Sequence, residues 1–158
     1  MYQSSTTIEF ASVADAEEIG ELSRDYIEYD LGWGYTPDKI TRLIKNKNKN
    51  VIVAREDNRL VGFGIMTYYD TQANLDLLGV KLRHRYQGIG RKLVQWLEKV
   101  ALTAGIVNIY IQVRESNTGA IKFYEKLNYS IIDKRPGYYR GREAAVIMAK
   151  GIRKQVNR

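Results

Sequence analysis

The chain alternates between short apolar runs and segments in which apolar residues recur at helical spacing. The helical spacing predicts helices over residues 15 to about 30, 88–104 and 117–127. Thr36 followed by Pro37 is typical of a helix start, because threonine caps the N-terminus and proline fits the first turn. A fourth helix is therefore predicted to begin at Pro37.

The short apolar runs predict strands. Two of them, 51–54 and 60–69, flank a turn at Asp57-Asn58 and predict a hairpin. The remaining strands are expected at residues 8–11, 74–82, 106–113, 129–133 and 144–148, the last two joined by a loop over 136–141. This order places a hairpin meander before a β-α-β crossover, so we expect an α/β fold with a mixed sheet.

Length and composition limit the remaining possibilities. The 158 residues contain no linker and no repeat, which predicts one domain over residues 1–150 and a basic tail at 151–158. The absence of cysteine excludes disulfides and thiolate metal sites, and a single histidine, His84, argues against a catalytic triad or a metal cluster. No apolar run could cross a bilayer and the first seven residues do not resemble a secretory signal, so we expect a cytoplasmic monomer or homodimer without membrane contact.

The net charge of +7 favours an anionic partner, such as nucleic acid or a phosphorylated small molecule. Basic residues cluster at positions 81–92, where an apolar strand leads through Gly88 and Gly90 into a helix. The N-terminus of a helix attracts phosphate, and glycine lets phosphate approach the backbone. The segment lacks the Walker spacing and the third glycine of a Rossmann turn. The two glycines alone indicate no more than a tight turn before a helix.

Two sequence blocks together are more specific. Residues 85–90 (R-Y-Q-G-I-G) resemble the pyrophosphate loop of the GNAT acetyltransferase superfamily, and residues 113–129 resemble its strand-Asn-helix-Tyr block, with Asn128-Tyr129 where Gly-Phe is usual. The pattern is most similar to N-terminal acetyltransferases of the ribosomal-protein-alanine type. The resemblance covers nearly the whole chain. It implies a mixed, mostly antiparallel sheet of about seven strands, splayed at its centre, with about four helices.

The resemblance also implies acetyl-CoA as cosubstrate, with no metal. Pantetheine would lie along the strand before the loop and the pyrophosphate would lie on the loop itself. The implied contact residues are Val80, Leu82, Arg85, Gln87, Gly88, Ile89, Gly90, Arg91, Lys92, Asn117 and Tyr124. Simpler interpretations stay open: Val80 and Leu82 also fit a core, and Asn117 fits the N-cap of the next helix.

Two residues are candidates for catalysis. The resemblance assigns Tyr124 to protonate the departing sulfur, since a phenol of pKa ~10 can give a proton to a thiolate of pKa ~8.5; the alternative is an aromatic that fills the helix–sheet interface. Similar enzymes often have glutamate where this chain has Gln112, which cannot accept a proton at neutral pH. Asp76 is the next candidate base, because a carboxylate in an apolar strand is costly without a partner. Alternation places it on one face with Asn74, Leu78 and Val80, and a structural ion pair is an equally open interpretation.

The expected acceptor is a primary amine: a protein N-terminus, a lysine or a small molecule. The loop between the first two helices and the last hairpin would form the walls of its site. Candidate acceptor contacts are Glu28, Trp33, Tyr35, Gln112, Tyr138 and Tyr139. Because Gln112 is not a base, an acyl-CoA sensor with little catalysis is the alternative function. We do not expect nucleic-acid binding, since no recognised motif accompanies the basic patches.

Overall fold

A computed structural model describes residues 5–153. It contains one sheet in the order β1-β2-β3-β4-β5-β7-β6, in which only the β4–β5 pair is parallel. The strands are β1 (Thr7–Phe10), β2 (Lys49–Glu56), β3 (Arg59–Tyr68), β4 (Gln72–Val80), β5 (Asn108–Arg114), β6 (Ser130–Tyr139) and β7 (Glu143–Gly151). The α-helices are α1 (Ala16–Tyr26), α2 (Pro37–Ile44), α3 (Ile89–Thr103) and α4 (Thr118–Lys126). The predicted fold class is confirmed.

Helices cover both faces of the sheet. Leu93 and Leu97 of α3 belong to one apolar cluster, which includes Ile52 of β2. Ile19 of α1 and Ile40 of α2 belong to a second cluster, on the face to which Val51 and Val53 point. Burial on both faces explains why the central strands are continuous apolar runs rather than alternating ones.

The centre of the sheet is splayed, as expected. β4 and β5 pair only from Gln72 opposite Asn108 to Leu75 opposite Ile111. Beyond that point β4 stays paired with β3 as far as Val80, and β5 stays paired with β7. The two strands therefore diverge and leave a gap between them.

A β-bulge at Asp76 lies where this gap begins. Ile65 of β3 faces Leu77, but the next residue, Met66, faces Leu75, so Asp76 is an additional residue in β4. An extra residue reverses which side chains face each side of a strand. Before the bulge Leu75 packs under α3 and α4, whereas after it Leu78 does.

The predicted common face of Asp76, Leu78 and Val80 is therefore wrong. Leu78 and Val80 pack on the α3–α4 side. Asp76 instead contacts Thr67, which shares the α1–α2 side with Ile65 two residues earlier on β3. The bulge thus directs the carboxylate to the opposite face of the sheet.

Two other boundaries differ from the prediction. α1 ends at Tyr26 rather than near residue 30, and the Glu28 carboxylate beyond it accepts the backbone N–H groups of Gly34 and Tyr35 at 2.8 and 3.2 Å. β6 continues to Tyr139, so the predicted loop over 136–141 shrinks to the turn 140–142. Pro136 is tolerated there because an edge strand needs no hydrogen bond from its N–H.

The first two residues of the predicted tail, 151 and 152, still belong to the folded domain. Gly151 closes β7, and the N–H of Ile152 donates to the carbonyl of Val107 at 2.9 Å. Residues 154–158 of that segment lie outside the described residues. None of the helices within residues 5–153 is both long and apolar enough to cross a membrane.

Candidate active site

A cavity of about 520 Å³ opens on the α1–α2 face where β4 and β5 diverge. Its lining comes from β4, β5, β6 and β7, from the turn between β3 and β4 and from the loop before α2. The residues are Tyr35, Tyr69, Gln72, Ala73, Asn74, Asp76, Tyr110, Gln112, Arg135, Tyr138 and Ile147. The structure thus brings together four of the predicted site residues: Tyr35, Asp76, Gln112 and Tyr138.

A chain of polar side chains runs from β2 to β5, and its members on β4 and β5 line this cavity. Asp76 accepts hydrogen bonds from the Thr67 hydroxyl and, at 2.8 Å, from the Asn74 amide. Asn74 and Gln112 exchange two hydrogen bonds, of 3.0 and 2.8 Å. Lys49 donates to Thr67 at 2.6 Å, and its ammonium lies 3.9 Å from Asp76. Asp76 is therefore both paired, as the structural interpretation expects, and placed in the cavity, as a base requires.

Asn74, Thr67 and Lys49 were not predicted as site residues. Asn74 stands two residues before Asp76, and an amide inside an apolar strand was a usable signal. Thr67 and Lys49 reach Asp76 through strand register, which the sequence does not reveal. The consequence is that Asp76 and Gln112 belong to one network instead of competing for one role.

Tyr35 and Tyr138 form aromatic walls of the cavity. Burial, followed by the negative charges of Asp76 and Glu28 and by Tyr138, raises the pKa of Tyr35 to about 12. The Tyr35 hydroxyl therefore stays protonated at neutral pH and can donate a hydrogen bond in the cavity. The Tyr139 ring packs edge-on against Tyr138, with centroids 5.0 Å apart, but it lies outside the cavity lining.

The predicted acceptor residues Glu28 and Trp33 also lie outside the lining. Glu28 binds the backbone before α2 and accepts the Ser23 hydroxyl at 2.9 Å. The Trp33 indole N–H donates to the carbonyl of Gly20 at 3.0 Å, and the Arg24 guanidinium lies 5.0 Å from its ring. Both side chains shape the loop that carries Tyr35.

The basic loop enters α3 through left-handed backbone. Tyr86 and Gly88 have φ of 62° and 83°, and Gly88 is the N-cap of α3. No side chain caps the first turn, and a Cβ on Gly88 would meet nothing within 4 Å. Free N–H groups beside open space, with exposed Arg91 and Lys92 on the first turn, fit a pyrophosphate.

Gly90 has a different role from Gly88. A Cβ at Gly90 would come within 3.1 Å of the Phe123 ring, so this glycine lets α3 pack closely against α4. The Ile89 side chain is buried in the core beside it, so only its backbone is available to a ligand.

Other loop residues brace the turn. The Arg85 guanidinium donates to the carbonyl of Val80 at 3.1 Å, and the Gln87 amide donates to that of Arg83 at 3.3 Å. Val80 packs against the core, which agrees with the interpretation of this residue as part of the core. Leu82 is 64% exposed, so it is not a core residue.

The second sequence block, residues 113–129, supplies the N-cap of α4 and a group of packed aromatic rings. Asn117 accepts the backbone N–H of Ala120 at 3.1 Å, so the N-cap interpretation is confirmed. Tyr124 is buried and packs edge-on against Phe123 and Tyr129. Burial raises the pKa of Tyr124, so its hydroxyl stays protonated at neutral pH and does not act as a base.

Comparison with known proteins gives one consistent result. A family model described as Acetyltransferase (GNAT) family matches residues 16–129. The [Ribosomal protein bS18]-alanine N-acetyltransferase of Salmonella typhimurium is 34% identical over 99 residues, which cover 61% of this chain and 67% of that protein. Ard1 from Thermoplasma volcanium superposes with a TM-score of 0.85 at 25% identity, covering 94% and 99% of the two chains. The PaiA N-acetyltransferase of Thermoplasma acidophilum, in complex with coenzyme A, has a TM-score of 0.80 at 22% identity over 93% and 99%.

We expect Gly88→Ala to weaken acetyl-CoA binding about tenfold, because the added methyl group occupies the open space in front of the free N–H groups. The left-handed backbone should also cost about 1 kcal/mol of stability. Gly141→Ala is the matched control, since Gly141 has φ of 70° and open space but lies in the β6–β7 turn. Isothermal titration and thermal melting measure both effects. Equal acetyl-CoA affinity in the two variants would show that the loop does not bind acetyl-CoA.

Proposed function

The chain belongs to the GNAT acetyltransferase family and takes its acetyl group from acetyl-CoA, and on this premise we propose that its acceptor is the α-amine of a peptide or protein N-terminus. The observation that carries the proposal is the cavity beside the β4–β5 gap, with Asp76 and Gln112 in its lining. An amine in this cavity would meet a thioester lying in the gap. The names of relatives that act on a ribosomal-protein alanine support an alanine N-terminus.

The chemistry of the amine favours an α-amine over lysine. An α-amine has a pKa of ~8, so a useful fraction is neutral at physiological pH, whereas lysine at ~10.4 needs a stronger base. The Asp76 carboxylate would attract the ammonium form and take up the proton that the amine loses. Gln112, held by Asn74, would orient the amine through the amide atoms that Asn74 leaves free.

The transfer would run through one tetrahedral intermediate. The amine nitrogen attacks the thioester carbonyl carbon, and backbone N–H groups of β4 beyond Leu75, which have no partner on β5, would stabilise the oxyanion. The carbon–sulfur bond then breaks. The amine gives one proton to Asp76 and Tyr124 gives one to the sulfur, so a net proton moves from nitrogen to sulfur before solvent restores both side chains.

Thiol release from acetyl-CoA tests the proposal directly. A hexapeptide that begins with alanine should release thiol, and the same peptide with a blocked N-terminus and an internal lysine should release much less. Spermidine and kanamycin complete the panel as small amines. Turnover of lysine or of a small amine above that of the free N-terminus would overturn the α-amine assignment. If acetyl-CoA binds but no acceptor releases thiol, the sensor alternative takes its place.

Asp76→Asn should lower kcat/KM for the alanine hexapeptide about 100-fold, because the side chain keeps its size but loses the charge and the proton acceptor. Asp70→Asn, in the exposed turn before β4, is the control and should leave kcat/KM unchanged. Steady-state kinetics at several pH values measure the effect. Full activity of Asp76→Asn at every pH would restrict Asp76 to a structural role.

Tyr124→Phe should lower kcat at least tenfold while acetyl-CoA affinity stays within about twofold, since only the proton for the sulfur is lost. Tyr129→Phe is the matched control: it also removes a hydroxyl from a buried ring, but that hydroxyl binds Glu98 at 2.9 Å. The control should lose stability and keep kcat. Unchanged turnover of Tyr124→Phe would exclude Tyr124 as the acid.

A further inference from the structure

Arg114, the last residue of β5, binds the loop between α1 and α2. Its guanidinium donates to the carbonyl of Ile27 at 3.3 Å and to the carboxylate of Asp30 at 2.5 Å. It also lies 4.7 Å from the centre of the Tyr29 ring. The side chain is only 11% exposed, so these contacts replace water around the cation.

The same guanidinium also binds the β6–β7 hairpin. It lies 5.5 Å from the centre of the Tyr139 ring and 3.5 Å from the carboxylate of Glu143. Glu143 in turn accepts the backbone N–H of Ser116 at 3.1 Å and its hydroxyl. One cation therefore links the α1–α2 loop to the hairpin, and its carboxylate partner links the hairpin to the segment before α4.

The charges around Arg114 make its removal costly. Asp30 and Glu143 come from different segments and both face the guanidinium. Hydrogen bonding to Arg114 holds the pKa of Asp30 below its usual value, and hydrogen bonds from Ser116, followed by the charge of Arg114, lower the pKa of Glu143. Without the cation, two carboxylates would repel each other across the junction of the loop and the hairpin.

The two segments that Arg114 joins carry the aromatic walls of the cavity. Tyr35 follows Asp30 by five residues in the same loop, and Tyr138 is next to Tyr139. Arg114 itself does not line the cavity. We propose that Arg114 is a positioning residue, which fixes the separation of Tyr35 and Tyr138 by binding both segments at once and so sets the affinity for the acceptor.

This inference rests on the proposed function for the identity of the acceptor. Arginine suits the role because its planar guanidinium offers five donors and stacks on aromatic rings, so it can serve two carboxylates and two tyrosines together. A lysine ammonium at the end of a flexible chain cannot make the same set of contacts.

Arg114→Gln is expected to raise the KM of the alanine hexapeptide about tenfold. The same variant should keep kcat within about threefold and the KM of acetyl-CoA within about twofold, because the reacting groups and the phosphate loop are not touched. Arg114→Lys should fall between the variant and the wild type. Arg42→Gln, an exposed arginine near the end of α2, is the control and should change none of these constants.

Asp30→Asn supplies a second, milder variant, since Asp30 is largely exposed and its loss should not prevent folding. It should also raise the peptide KM. The double variant with Arg114→Gln should have a peptide KM no higher than that of Arg114→Gln alone. A double variant whose rise in peptide KM equals the product of the two single rises would overturn the proposal. An equal rise in the KM of both substrates, or an unchanged peptide KM, would overturn it as well.

Hydrogen exchange provides a readout that needs no acceptor. In Arg114→Gln, amides in residues 27–36 and 138–143 should exchange about tenfold faster, while those of β2 and β3 keep wild-type rates. If the wild type fails to acetylate the peptide, the proposed function fails, but faster exchange in both segments would still support the link made by Arg114. Unchanged exchange in both segments would overturn the proposal whatever the acceptor is.

Discussion

The separation of β4 from β5 beyond Leu75 is the constraint on which the site depends. Each strand keeps a full partner on its outer side, so the gap removes hydrogen bonds from only one edge of each. Backbone N–H and carbonyl groups left without partners in a buried gap cost about 1–3 kcal/mol each. Such a gap persists where water or the amides of a bound molecule satisfy those groups. A bound cosubstrate whose amides pair with these groups would complete the sheet.

The bulge at Asp76 determines which β4 side chains lie on each face of the sheet. It returns Leu78 and Val80 to the apolar side, where α3 covers them, and leaves the carboxylate among polar partners on the other side. The proposed phosphate site and the proposed acceptor cavity therefore lie on opposite faces of the sheet and meet only at the gap. Gly88 and Gly90 show a similar division over three residues, one leaving space for an anion and the other for Phe123.

The sequence revealed features that are local in the chain. Thr36-Pro37 and Asn117 marked helix starts correctly because capping involves residues three positions away. The bulge could not be predicted, since one extra residue does not change the apolar character of a strand. Glu28 and Trp33 were assigned to the acceptor site because they lie between the first two helices, but each binds backbone in its own neighbourhood. Asn74 contacts Gln112 only because of the strand register. Arg114 contacts Tyr139 and Glu143 only because the last hairpin returns to β5.

Pro136 has a consequence beyond allowing β6 to reach Tyr139. β6 is the outer strand of an open sheet, and such an edge can recruit a strand from another molecule. The proline supplies no N–H donor, the ladder is irregular between Arg135 and Tyr139, and Lys134 and Arg135 add charge beside it. At the opposite edge β1 is only four residues long. Both edges therefore resist intermolecular sheet extension, which protects the chain from aggregation.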